Sequence, residues 1–147
     1  MSGLDEQTRR AIEWDCARLI NLYMQLNDAG DWNGVADLFT EDGALYRPTI
    51  PDKAIAGREA IREGFKARPA TAVTRHVVSN IVVEAESETE ASATSIMLLF
   101  RGQATEDGSL PAHHSADPLV GFFKDRLRKT ANGWRFVERR GGLDFAP

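Results

Sequence analysis

Cysteine is almost absent from this chain: Cys16 is the only one in 147 residues. No intramolecular disulfide can form, and no thiolate metal cluster can be built. Cys16 falls within a helical apolar pattern, which makes it a packed thiol rather than a nucleophile. Long apolar runs are missing too. None approaches the roughly 18 residues of a membrane-spanning helix, so no membrane partner is expected. Met1-Ser2-Gly3-Leu4-Asp5-Glu6 lacks the basic and apolar regions of a signal peptide, which gives the expectation of a cytoplasmic protein. There is no excess of basic charge. The formal net charge is −4, which argues against nucleic acid or an acidic surface as a partner. Glycine-rich phosphate loops, a G-x-S-x-G elbow and internal repeats are all missing, and no cofactor is expected.

What remains is an ordinary globular balance of 42% hydrophobic and 27% charged residues. The length suits one domain, expected to span 1–147. From Asp5 to about Ala29, the residues Ile12, Cys16, Leu19, Tyr23 and Leu26 recur at helical spacing. Gly30 reads as the stop, and Asp31 as the N-cap of a short helix, Trp32 to Phe39. Glu41-Asp42-Gly43 turns the chain into a short strand, Ala44 to Arg47. Pro48 and Pro51 mark a loop, and a helix of about Glu59 to Ala67 ends at Pro69. Beyond Pro69 β-branched residues take over. Four long strands are predicted: Thr71–Glu84, Glu90–Arg101, Leu119–Lys129 and Trp134–Leu143. Hairpin turns fall at Glu86-Ser87-Glu88 and Ala131-Asn132-Gly133, and the polar segment Gly102 to Pro118 reads as a long loop. Helices first and an antiparallel meander after them mean α+β, with the helices gathered on one face of the sheet.

Several of these segments, taken in order, resemble a known family. They are Asn27-Asp28-Ala29-Gly30-Asp31-Trp32, Leu38-Phe39-Thr40-Glu41-Asp42-Gly43, Gly57-Arg58-Glu59-Ala60-Ile61, Arg75-His76-Val77-Val78-Ser79-Asn80 and Asn132-Gly133-Trp134-Arg135-Phe136. Their order and spacing resemble the SnoaL-like branch of the nuclear transport factor 2 superfold. Within it, the chain is most similar to the group containing scytalone dehydratase and hexachlorocyclohexane dehydrochlorinase, over roughly Arg9 to Phe145. The resemblance implies a cone-shaped curved antiparallel sheet wrapped around N-terminal helices, a cystatin-like α+β barrel. It also implies a small-molecule substrate and a homodimer or homotrimer, joined through an outer sheet face bearing Phe122 and Val137. The superfold hosts dehydratases, isomerases and noncatalytic subunits alike, so the reaction has to be argued from the site.

By the same resemblance His76 is a general base and Asp28 its partner. A neutral imidazole, with an ordinary pKa of about 6.5, can take a proton at neutral pH. A carboxylate on its other nitrogen fixes the tautomer and stabilises the imidazolium. On the residues alone, Asp28 reads sooner as a helix-end residue, and His76 as a satisfied core or surface histidine. If His76 points inward, strand alternation brings Thr74, Val78 and Asn80 to its side. Asn80 then bonds either a substrate oxygen or nearby backbone.

The register carried over from the family puts Ser95, Met97 and Leu99 inward on one strand. On the next it puts Gly121, Phe123, Asp125, Leu127 and Lys129 inward. These form either a pocket for a small apolar or aromatic molecule or simply packed core. Tyr23 and Tyr46 are the remaining phenols, set either to reach the pocket or to pack. Ser95 stands where scytalone dehydratase has a second cavity histidine, and Asn27 where it has a tyrosine. His113-His114 with Asp117 has no convincing metal-ligand spacing, so no metal is expected. The combined expectation is a cofactor-independent, dehydratase-like lyase or an isomerase. The alternative is a noncatalytic ligand-binding module, or a partner resembling the small subunit of a ring-hydroxylating dioxygenase.

Overall fold

The computed structural model describes residues 3–145; positions 1–2 and 146–147 of the expected domain lie outside them. The first helix, α1, spans Glu6–Ala29. Asp5 caps its start by accepting from the Thr8 backbone N–H at 2.7 Å, and Gly30 ends it in the left-handed region at φ 74°. Its inner face buries Ile12, Cys16, Leu19, Ile20, Tyr23 and Met24. A fully buried side chain of this kind contributes about 1.5–3 kcal/mol, so this face holds the helix to the sheet. Asp31 caps the short α2 (Trp32–Ala36) through the Gly34 N–H at 2.9 Å. This helix ends before Phe39, where it was expected to reach. The Leu38 carbonyl accepts from the Phe136 N–H at 2.8 Å instead, and Phe39 opens strand β1 (Phe39–Tyr46).

Next come β2 (Ala54–Ala56), inside the expected loop, and α3 (Arg58–Lys66). The long strands are β3 (Ala72–Ala85), β4 (Glu90–Gln103), β6 (Leu119–Thr130) and β7 (Gly133–Phe145), while β5 (His113–His114) is a short addition to β4. The sheet order is β2-β1-β7-β6-β4-β3. The expectation of a wholly antiparallel sheet needs one correction. β1 runs parallel to β7, with Phe39 opposite Phe136 and Leu45 opposite Arg139. β1 arrives from the helices rather than through a hairpin, so no tight turn dictates its sense.

Of the register irregularities in the sheet, two bear on the site. One lies in β3 between Ser79 and Val82. The other lies near Val137, where Leu127 pairs with Phe136 but its neighbour Arg126 pairs with Glu138. The extra residue reverses the inward alternation. Trp134 and Phe136 are buried before it; Arg139 and Gly141 are buried after it.

The helices fill the concave side. Tyr23 stands at the centre, edge-on to Phe39, Phe65, Phe123 and Phe136 with ring centroids 5.8–6.4 Å away. On the outer side Val77, Val82, Ile96 and Phe100 are exposed. Phe122 and Val137, expected there, are half-buried. The Phe122 ring lies so close to Gly142 that a Cβ at that position would come within 2.4 Å of it. No described helix is long and apolar enough to cross a membrane.

Candidate active site

Asp28 sits in the last turn of α1, beside the start of β3. Three donors converge on its carboxylate. The Thr74 hydroxyl donates to Oδ1 at 2.9 Å, the His76 backbone N–H donates to Oδ2 at 2.7 Å, and His76 Nδ1 lies 2.5 Å from Oδ1. Thr74 and His76 reach it together because alternate residues of a strand share a face. An ionised carboxylate only accepts, so a neutral imidazole paired with it through Nδ1 carries its hydrogen there and its lone pair on Nε2. Both side chains are nearly enclosed, at 8% and 14% exposure for His76 and Asp28. The structure thus brings together two residues 48 positions apart.

His76 is also part of the wall of a cavity of about 190 Å³. Tyr23, Met97, Leu99, Leu119 and Phe123 form its apolar side. Asp28 is not on this wall; it borders a shallow depression on the other side of His76, with Met24 and Arg75. The histidine therefore stands between the carboxylate and the cavity. Burial pushes the Tyr23 hydroxyl pKa up, which keeps that phenol neutral.

Four of the expected substrate contacts lie elsewhere. Asn80 is exposed at φ 52°, because the irregularity after Ser79 breaks the alternation that would have turned it inward. Tyr46 is covered by the Arg140 guanidinium, 4.0 Å from its ring, and does not line the cavity. Ser95 is buried opposite Phe123, its hydroxyl without a protein partner, but off the cavity wall. Asp125 is buried in an ion pair with Arg139, whose Nε and Nη2 donate at 3.0 and 3.4 Å. Burial pushes the Asp125 carboxyl up to about 6, while Arg139 pulls it down. Lys129, expected inward, is exposed at the end of β6. His113 and His114 are exposed in β5, and no group of three metal-ligating side chains occurs among the described residues.

The sequence reading also missed residues. Arg139 is fully buried, with its guanidinium 3.9 Å from the Phe123 ring centroid, 4.2 Å from Tyr23 and 4.6 Å from Phe136. No local signal marks it, since the shift near Val137 is what turns it inward. Arg47, Arg68 and Arg101 reach the cavity wall, as does Asn27, whose Oδ1 accepts from Arg68 at 2.7 Å. Arg101 was readable in principle: it continues the inward series Ser95, Met97, Leu99.

A curved sheet closing on a long helix, with a histidine set between a helix-end carboxylate and a cavity, defines the class: a nuclear transport factor 2-like cone. The chain belongs to the SnoaL-like domain family, whose model matches residues 8–140. A scytalone dehydratase candidate from Novosphingobium aromaticivorans is similar, at 22% identity and TM-score 0.79 over 96% of this chain and 89% of that one. A nuclear transport factor 2-like protein with a cystatin-like fold, from the same organism, shares 24% identity at TM-score 0.71, covering 94% and 86%. A type 2 hexachlorocyclohexane dehydrochlorinase shares the fold at 13% identity and TM-score 0.78, covering 96% and 90%. No curated protein matches the chain.

Proposed function

We propose that this protein is a cofactor-independent lyase or isomerase that abstracts a proton from a small, largely apolar or aromatic substrate, with His76 as base and Asp28 as its orienting partner. The observation that carries the reading is the Asp28 carboxylate 2.5 Å from Nδ1 of His76, a histidine that also lines the cavity. In the reaction, Nε2 takes the proton of a substrate C–H bond. The two electrons of that bond form a new double bond. In a lyase the leaving group departs from the neighbouring carbon with its own electron pair; in an isomerase the new double bond displaces the pair of an existing one, whose far carbon takes the proton back from the imidazolium. Asp28 holds the positive ring throughout. Elimination is favoured because the group facing the cavity is a histidine, with the carboxylate behind it. The scytalone dehydratase candidate and the dehydrochlorinase that share this fold lend support by analogy.

The test is proton exchange or elimination across a panel of hydroxylated and halogenated cyclic compounds. His76→Ala should lower turnover by about 10²–10⁴-fold and leave apolar ligand binding mostly intact. Asp28→Asn should do comparable damage, and the double mutant should be little worse than either single one. Turnover that survives in His76→Ala removes the mechanism. A noncatalytic binding module would show no turnover in any variant. The same reading includes a homodimer or homotrimer, since the exposed Val77, Val82, Ile96 and Phe100 form an apolar outer face.

A further inference from the structure

The cavity that His76 borders is cationic, in a chain whose formal net charge is −4. Arg47, Arg68 and Arg101 line it, and no Asp or Glu does. None of the ion pairs among the described residues involves any of these arginines. Arg47 Nη2 and Arg101 Nε are buried with no hydrogen-bond partner. Arg68 donates one hydrogen bond, to the neutral Asn27 side chain. Its pKa is held below the ordinary arginine value first by burial and then by the neighbouring Arg47 charge. Aromatic faces offset part of this cost: Arg47 lies over Phe65 at 5.2 Å, and Arg68 over Trp32 and Phe65 at 5.7 and 5.5 Å. Arg101 has no such face. Like charges gathered in a partly desolvated wall, with donors unused, are unfavourable until an anion joins them.

The apolar part of the lining is Met97 and Leu99, next to Arg101 along β4, with Leu119 and Phe123 from β6, and His76 completes the cavity. Its volume of about 190 Å³ falls below the roughly 300–1,000 Å³ of pockets for drug-sized ligands, which suits a single ring. We propose that the Arg47–Arg68–Arg101 cluster anchors a carboxylate borne by the ligand, so that the substrate class is a small monocyclic or aromatic carboxylate rather than a neutral hydrocarbon. A planar guanidinium matches a carboxylate in two parallel hydrogen bonds, while the ring rests on the apolar wall. As a statement about substrate, this rests on the His76–Asp28 reading; as a statement about binding, it does not.

Calorimetric titration of the full chain with benzoate and cyclohexanecarboxylate, against benzamide, cyclohexylmethanol and inorganic phosphate, tests it. The carboxylates should bind at least tenfold more tightly than the neutral analogues and than phosphate. Arg101→Gln and Arg47→Gln should each weaken carboxylate binding by about ten- to a hundredfold, the range for a charge-assisted hydrogen bond. Arg101→Lys, which keeps the charge and loses the fork, should lose less, and unfolding curves identify any variant that does not fold. Three results would overturn the anchor: equal affinity for the neutral analogues, phosphate binding as well as the ring acids, or carboxylate affinity unchanged in folded Arg→Gln variants. Solvent-deuterium exchange into 3-oxocyclohexanecarboxylate, a ring acid whose C–H bonds beside the ketone are acidic enough for an imidazole base, separates the two readings. Tight, arginine-dependent binding of that acid with no exchange supports the anchor and counts against His76 as base.

Discussion

Removing the Asp125 carboxylate tests how the core holds a charged guanidinium. Arg139 is enclosed by three aromatic rings, and Asp125 supplies its hydrogen-bond acceptors. Asp125→Ala should cost about 3–5 kcal/mol in urea unfolding, because it strands a buried charge. Replacing both members with apolar residues, Asp125→Leu with Arg139→Met, should recover most of that loss. A cost below about 1 kcal/mol for the single change would mean that the rings alone satisfy the arginine. Cys16 gives a second residue-scale expectation. Burial pushes its thiol up to about 12, with the Asp15 and Asp125 charges adding to the shift. A thiol reagent at pH 8 should therefore label it only after unfolding, and rapid labelling of the native protein would contradict its burial. Cys16 was legible as a packed thiol because helical periodicity is local. Asp125 was legible as inward-facing, but its partner was not.

At the scale of elements, α1 does more than cover the sheet: its last turn sets Asp28 beside Thr74 and His76. Gly30 makes that ending possible, with its φ of 74° and its N–H donating to the Asn27 carbonyl at 3.1 Å. Gly30→Ala places a Cβ in the left-handed region and should cost about 1–2 kcal/mol. For a protein of this size each kcal/mol lowers Tm by about 2–4 °C. If the Asp28 position depends on that turn, turnover should fall further than the stability loss explains, and an unchanged kcat would show that Asp28 is held by β3 instead. The ends of α1 and α3, the long strands and both hairpins were readable, since caps, period and turn residues are written within a few positions of one another, while α2 stopped short of its expected end. The short β2 and β5 were not. Strands of two or three residues carry no period, and they form only because β1 and β4 offer an edge.

At the scale of the whole molecule, the exposed apolar face of Val77, Val82, Ile96 and Phe100 predicts association. Sedimentation should show a dimer or trimer at micromolar concentration, and Ile96→Lys should shift it toward monomer; a wild-type monomer would refute the assembly. Composition and periodicity were enough to establish the α+β class and the helices-then-meander order, because each depends on residues near one another in the chain; the inward placing of Met97 and Phe123 came from the register of the resembled family. The proposed dyad was foreseen through family resemblance, and the fold supplies its three hydrogen bonds. The parallel pairing of β1 with β7, the outward turn of Asn80, the inward turn of Arg139 and the gathering of Arg47, Arg68 and Arg101 appear only once the chain is folded. A one-residue irregularity reverses every side chain beyond it, and a cavity wall collects residues from strands and helices far apart in sequence. Neither leaves a local trace for a period or a motif to detect.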